Sequence, residues 1–275
     1  MSRKTRKTSE TLKEYGRGTV GGLLFSLPLL YTMEVWWTGF IASPEKLLAL
    51  IVFTFLLLLG YNRHSGMRED ASLKEVFQES VEEITLAFIV AFLFLLLINK
   101  IGFTMSYREI AGKVIVESMI VAIGFSIGTA QLGQGKKETG EENAKDDGGL
   151  VQMIVLCICG AVLVSSSVAP TEEILRIAMV SEPSHLLVMV LTSILISGIV
   201  LFFSDFRGSG KFEGGIKEII FHLVVSYLCA LLVSALVLWF FGRISGYGFS
   251  FVLAEVIVLA VPASLGASAG RLLIT

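Results

Sequence analysis

Residues 114–130 read VIVESMIVAIGFSIGTA, and most of that stretch returns near the C-terminus as residues 252–268, VLAEVIVLAVPASLGAS. Each copy places a single glutamate inside an apolar run with helical spacing. A shift of 138 positions lays Glu117 on Glu255, Gly124 on Pro262, Ser126 on Ser264 and Gly128 on Gly266, which is the mark of an internal repeat. At ~100° per residue, positions i, i+7 and i+11 fall within about 20° of one line. Glu117, Gly124 and Gly128 therefore share one helix face, as do Glu255, Pro262 and Gly266.

The composition around these stretches sets the class. With 275 residues, 54% of them hydrophobic and 17% charged, the chain is too apolar for a water-soluble globule and reads as an all-α, polytopic membrane protein. A net charge of −2 with scattered basic residues points away from nucleic acid. Cys157, Cys159 and Cys229 lie inside apolar runs without CxxC or Cys/His spacing, so they read as small core residues and not as a disulfide framework or zinc site. The basic N-terminus precedes an apolar segment without a clean small-residue cleavage site, so that segment is expected to be a first span and no cleaved signal peptide is expected.

Windows of about 19 residues give eight expected transmembrane helices, near 19–40, 46–61, 82–103, 109–131, 150–172, 184–204, 217–241 and 249–274. Sixteen Lys and Arg then fall on the side of the N-terminus and six on the other. The positive-inside rule places both termini in the cytoplasm of a cell (inner) membrane. Trp36, Trp37 and Trp239 would then sit at the outer interface, where amphipathic rings collect. Pro28 should bend the first span below Glu34. Ser72 with Glu75 has capping-box spacing, so a short cytoplasmic helix is expected to start there and run into the third span. Glu82 and Glu83 are expected at the cytoplasmic mouth of that span as solvated, helix-start acids, with a gate role as the alternative.

Residues 133–149, GQGKKETGEENAKDDGG, mix glycine with opposite charges and read as a flexible cytoplasmic linker. The chain divides accordingly into a basic tail (1–18), a four-span repeat (19–132), the linker, and a second four-span repeat (150–275). Other matches support the division: residues 73–76, LKEV, answer residues 216–219, IKEI, and Lys100-Ile101 answers Arg243-Ile244, both at an offset of 143. Four spans being an even number, the two blocks would enter the bilayer in the same direction, as a parallel repeat. Chance likeness between apolar helices is the competing reading.

The chemistry is expected at the intramembrane acids, because an ionised carboxylate at a helix centre costs a few kcal/mol or more unless paired, hydrated or protonated. In this topology Glu34, Glu117 and Glu255 lie within roughly 9–12 Å of the outer boundary at ~1.5 Å per residue. Glu172 and Glu173, after Pro170, fall near the same level. Such a layer, with Ser26, Tyr31, Thr32, Ser118 and Thr171 nearby, suits a cation or proton site entered from outside. The bland alternative is that each glutamate hydrogen-bonds a neighbouring helix and fixes packing. Gly124 with Gly128 and Gly266 with Gly270 are GxxxG pairs that allow close helix approach, and the fourth and eighth spans are expected to meet along them.

Residues 171–176, TEEILR, resemble the EExxxR signature of the intramembrane CAAX-protease-like metalloenzymes. The spacing is one residue short, and His185 and His222 sit near opposite helix ends, so no enzymatic site is expected. At the level of the whole chain, the two-block pattern with ESMIVAIGFSIG and VAPTEE is similar to a bacterial family of multi-pass integral membrane proteins of unknown function. That resemblance implies a multi-pass inner-membrane protein and carries over no residue role. The expectation is a secondary transporter or channel for a small cation, with proton coupling, embedded in the lipid bilayer and needing no cofactor. Glu117 and Glu255 would be the main sites and Glu34, Glu172 and Glu173 supporting ligands. The alternative is a non-transporting scaffold or sensor with structural glutamates; either could be an oligomer.

Overall fold

The computed structural model describes residues 8–67, 71–102, 104–132, 150–205 and 216–272. The chain forms two compact units, Met1–Asp147 and Gly148–Thr275, and their regular structure is helical throughout the described residues. The segment read as a linker, 133–149, lies outside the described residues. Of the stretch read as a basic tail, residues from Thr8 onward belong to the first helix.

The first unit contains α1 (Thr8–Leu30), α2 (Met33–Ile41), α3 (Pro44–Tyr61), a π-helical turn (Asn62–Gly66), α4 (Leu73–Leu97) and α5 (Tyr107–Leu132). The expected first span is in fact two helices, α1 and α2, bent at 87°. Pro28 lies inside α1 and withholds a backbone donor one turn before the break. The last carbonyls of α1 are nevertheless all occupied. Tyr31 N–H donates to Leu27 O at 3.3 Å and Thr32 N–H to Leu29 O at 2.7 Å. The Thr32 hydroxyl donates to Pro28 O at 2.5 Å, and the Trp36 indole N–H to Leu30 O at 3.1 Å. The break is therefore a built feature, with its orphan carbonyls satisfied by residues that follow it.

α3 opens with Pro44 in its first turn, behind Ser43, whose side chain accepts from Lys46 N–H. The expected capping box is formed: Ser72 and Glu75 exchange hydrogen bonds of 2.9 and 3.3 Å. α4 then runs unbroken for 25 residues. α5 is the centre of the unit. α1, α2, α3 and α4 all pack on it, and Val121, Ala122, Ile123, Phe125 and Ile127 are buried.

The second unit contains α6 (Leu150–Val168), α7 (Glu172–Val180), α8 (Pro183–Asp205), α9 (Ile216–Phe240) and α10 (Phe249–Leu272). Here α10 is central, contacted by α6, α7, α8 and α9. The break between α6 and α7 falls at Pro170; Val168 O accepts from both the Thr171 N–H and its hydroxyl. The Arg243 guanidinium donates to Pro170 O. Among the described residues, seven helices are long and apolar enough to cross a membrane, or eight if α1 and α2 form one broken span. Leu187, Val188, Leu191 and Leu195 leave one side of α8 exposed and apolar, as a lipid-facing surface requires.

Candidate functional site: two buried glutamates at helix breaks

Glycines set the geometry of the first unit. A side chain on Gly128 would come 2.5 Å from Gly21 Cα, and one on Gly124 would meet Gly22 Cα and Gly21 O at 3.1 Å. α1 thus lies backbone to backbone on α5, antiparallel, with Gly18–Gly22 against residues 121–128. A second clamp lies more than two turns earlier on α5, where Gly39 of α2 meets Gly112 and Lys113 Cα. Glu117 sits between the clamps. The chain must pass from one clamp to the other through the α1–α2 break, so Glu117 is held level with that break.

The second unit repeats the device. Gly266 closes on Gly160 of α6, and Gly270 on Leu156 O and Gly160 Cα, so α6 runs antiparallel to α10. At 1.5 Å per residue on both helices, the register carried from Gly160 and Gly266 puts Glu255 level with the α6–α7 break. Each glycine face is filled by a helix of its own unit, Gly124 and Gly128 by α1 and Gly266 and Gly270 by α6.

Glu117 and Glu255 are both 0% exposed, and no donor among the described residues reaches any of their four carboxylate oxygens. A bare buried carboxylate is costly. Lys113, one turn before Glu117, makes the contrast. Its ammonium is buried yet bonded to Glu109 at 2.6 Å and to Lys100 O at 3.2 Å. Ser118, beside Glu117, spends its hydroxyl on Ile115 O. The sequence therefore supplies donors nearby, and the fold directs them elsewhere.

The remaining acids are less buried. Glu34 is half-buried in the first turn of α2. Glu172 and Glu173 are exposed at the start of α7, with Glu172 paired to Arg176 at 3.1 Å. The short helix α7 buries Ile174 and Ala178 instead, which turns its acids outward. Among the described residues, no three His, Cys, Asp or Glu side chains gather as a metal site would require.

Glu83 is the clearest correction. It is not a solvated acid at a helix mouth but 3% exposed, accepting from Asn62 Nδ2 at 2.7 Å. The signal lay in the spacing of α4: Val76, Ser80, Glu83, Ala87 and Ala91 form one buried stripe at helical intervals. Its partner could not be read from local pattern, since Asn62 follows an apolar run and looks like the polar end of a span.

A family model described as "Putative integral membrane protein (DUF2391)" matches residues 14–274, nearly the whole chain. No curated protein and no solved structure matches.

Proposed function

Because the chain belongs to the DUF2391 family of integral membrane proteins, we propose a role read from its own interior: secondary transport or conduction of a small cation, coupled to protons. The observation that carries this is the pair of fully buried carboxylates, Glu117 and Glu255, with no donor among the described residues on any oxygen, each level with a helix break. An intramembrane acid of this kind is a functional residue by default. Discontinuous helices recur at the ion sites of many transporters; here the carbonyls at the first break are taken by the chain's own donors, so the carboxylate is the ligand. A carboxylate is neutralised equally by a proton or by a monovalent cation, and competition between the two is the coupling. A single carboxylate per site suits a monovalent cation better than a divalent one, which takes six or more oxygen ligands and usually several acids. Glu34 lies near the first break and remains a candidate supporting ligand; Glu172 and Glu173, exposed, do not.

The transport reading takes the units as a duplicated pair with both termini in the cytoplasm. Supporting the duplication, the helices of each unit run long, short, long, long, long. In each, the last helix is central and packs by glycines on the first. The charge bias of the loops supports the orientation.

The test is flux in proteoliposomes driven by a pH gradient, with monovalent cations supplied one at a time. Glu117→Gln and Glu255→Gln should each slow cation-dependent proton movement at least about tenfold, the effect of ~1.4 kcal/mol or more at the site. Wild-type flux in the double variant, with only its melting temperature changed, would refute transport at these residues and favour the scaffold reading.

A further inference from the structure

The first unit holds a second buried polar site. Asn62 from the π-helical turn, Ser80 and Glu83 from α4, and Ser126 from α5 are all 0–3% exposed. The Asn62 amide joins them: Nδ2 donates to Glu83 Oε2 at 2.7 Å and to Ser80 Oγ at 3.1 Å, while Oδ1 accepts from the Ser126 hydroxyl at 2.8 Å. Ser80 donates onward to Val76 O at 2.9 Å.

The local backbone is shaped for this amide. The turn at the end of α3 closes an i→i+5 bond from Met67 N–H to Asn62 O at 3.1 Å, and such π turns recur at functional sites. A side chain on Gly66 would run into Asn62 Oδ1. The second unit lacks the acid. At the offset of 143 that matches α4 with α9, Glu83 corresponds to Ser226, which lies 3.3 Å from Ser268. Ser264, at the position of Ser126, donates to Val261 O.

From this geometry we infer that Glu83, Asn62, Ser80 and Ser126 form a proton-binding site confined to the first unit. Asn62 turns both N–H groups into the cluster, an arrangement that receives an anion and repels a metal cation. With Glu83 ionised, its Oε2 accepts from Nδ2. When a proton from water arrives on Oε2, the amide rotates by half a turn. The new Oε2–H then donates to Asn62 Oδ1, the Ser80 hydroxyl turns to the same oxygen, and Nδ2 donates to Ser126 Oγ. The Ser126 hydroxyl proton is freed for another acceptor. The first arrangement bonds every member of the cluster; the second keeps Glu83 Oε2, the Ser80 hydroxyl and both amide heavy atoms of Asn62 bonded and passes the Ser126 hydroxyl proton on.

Charged neighbours on α4 are Glu79 and Glu82. The turn carries Arg63, committed to Ala71 O at 3.1 Å, and His64; α3 brings Tyr61. On α5 the nearest acid is Glu117, nine residues before Ser126, and α1 carries Lys13, Glu14 and Arg17 near its start. If the transport reading holds, this cluster is where the first unit alone trades protons at the far side of α5, about 13 Å along the axis from Glu117.

Infrared difference spectroscopy of the purified full chain across a pH step reads carboxyl protonation without any transport. A carboxylic C=O band should be lost in Glu83→Gln, should shift in Asn62→Asp or Asn62→Ala, and should persist in the Glu117→Gln, Glu255→Gln double variant. A spectrum unchanged by Glu83→Gln, or a Glu83 band indifferent to both Asn62 substitutions, overturns the proposal. Should an Asn62 variant fail to fold, Ser126→Ala serves the same purpose, removing one partner of the amide. Because the band is read in detergent, its presence beside absent flux would sink the transport reading and leave this site standing.

Discussion

Placing one methyl group on Gly128 tests the glycine seam that holds Glu117 at its break. The Cβ would lie 2.5 Å from Gly21 Cα and 3.1 Å from both Arg17 O and Gly21 N. Ordinary carbon–carbon contact is about 3.5–4.0 Å, so α1 and α5 must part by roughly 1 Å. The obstacle is backbone, which cannot rotate away as a side-chain tip would. A gap of 0.5–1 Å forfeits about a quarter to a half of each dispersion contact along a seam, and overpacking of this kind costs about 1–3 kcal/mol. Taking about 2 kcal/mol, Gly128→Ala should lower the melting temperature in detergent by roughly 4–8 °C for a chain of this size. Gly16→Ala is the control: it lies in α1, the other helix of the seam, with nothing within 4 Å. Alanine there should stabilise by about 0.5–1 kcal/mol. Opposite signs are the signature of the seam. If Gly128→Ala and Gly16→Ala change stability alike, the close antiparallel packing of α1 on α5 is wrong, and with it the placement of Glu117 opposite the break.

Trp36→Phe keeps the ring but removes the donor to Leu30 O; it should cost about 0.5–1.5 kcal/mol by thermal unfolding and loosen the α1–α2 break, read as faster amide exchange at Thr32 and Met33. Gly66→Ala should displace Asn62 and weaken the unit by about 1–3 kcal/mol, while Gly102→Ala, in open space, should not. Ser72→Ala removes the capping box of α4 and should cost about 0.5–2 kcal/mol without altering any flux.

Where the sequence was explicit, the reason is that membrane constraints are local. A span needs about 20 apolar residues within one segment, a cap needs Ser72 and Glu75 three positions apart, and Pro28 removes a donor from its own helix wherever that helix lies. Those features, the family resemblance, and the oddity of Glu117 and Glu255 in apolar helices were legible before any packing was known. GxxxG likewise announced a close approach, but it named no partner.

The tertiary structure decided what depends on distant residues. Gly128 found Gly21 and Gly266 found Gly160 inside their own units, since a backbone-deep groove is filled by whichever helix also presents a bare backbone there. Glu172 and Glu173 turned outward because Ile174 and Ala178 took the buried side of α7. Glu83 turned inward because Asn62, 21 residues away, and Ser126, 64 residues from Asn62, supply a polar lining that no window of sequence contains. The sequence by itself determined which segments are long and apolar enough to enter a membrane and which acids go with them. Only the fold decided which of those acids are left without a partner, because pairing is a property of neighbours in space.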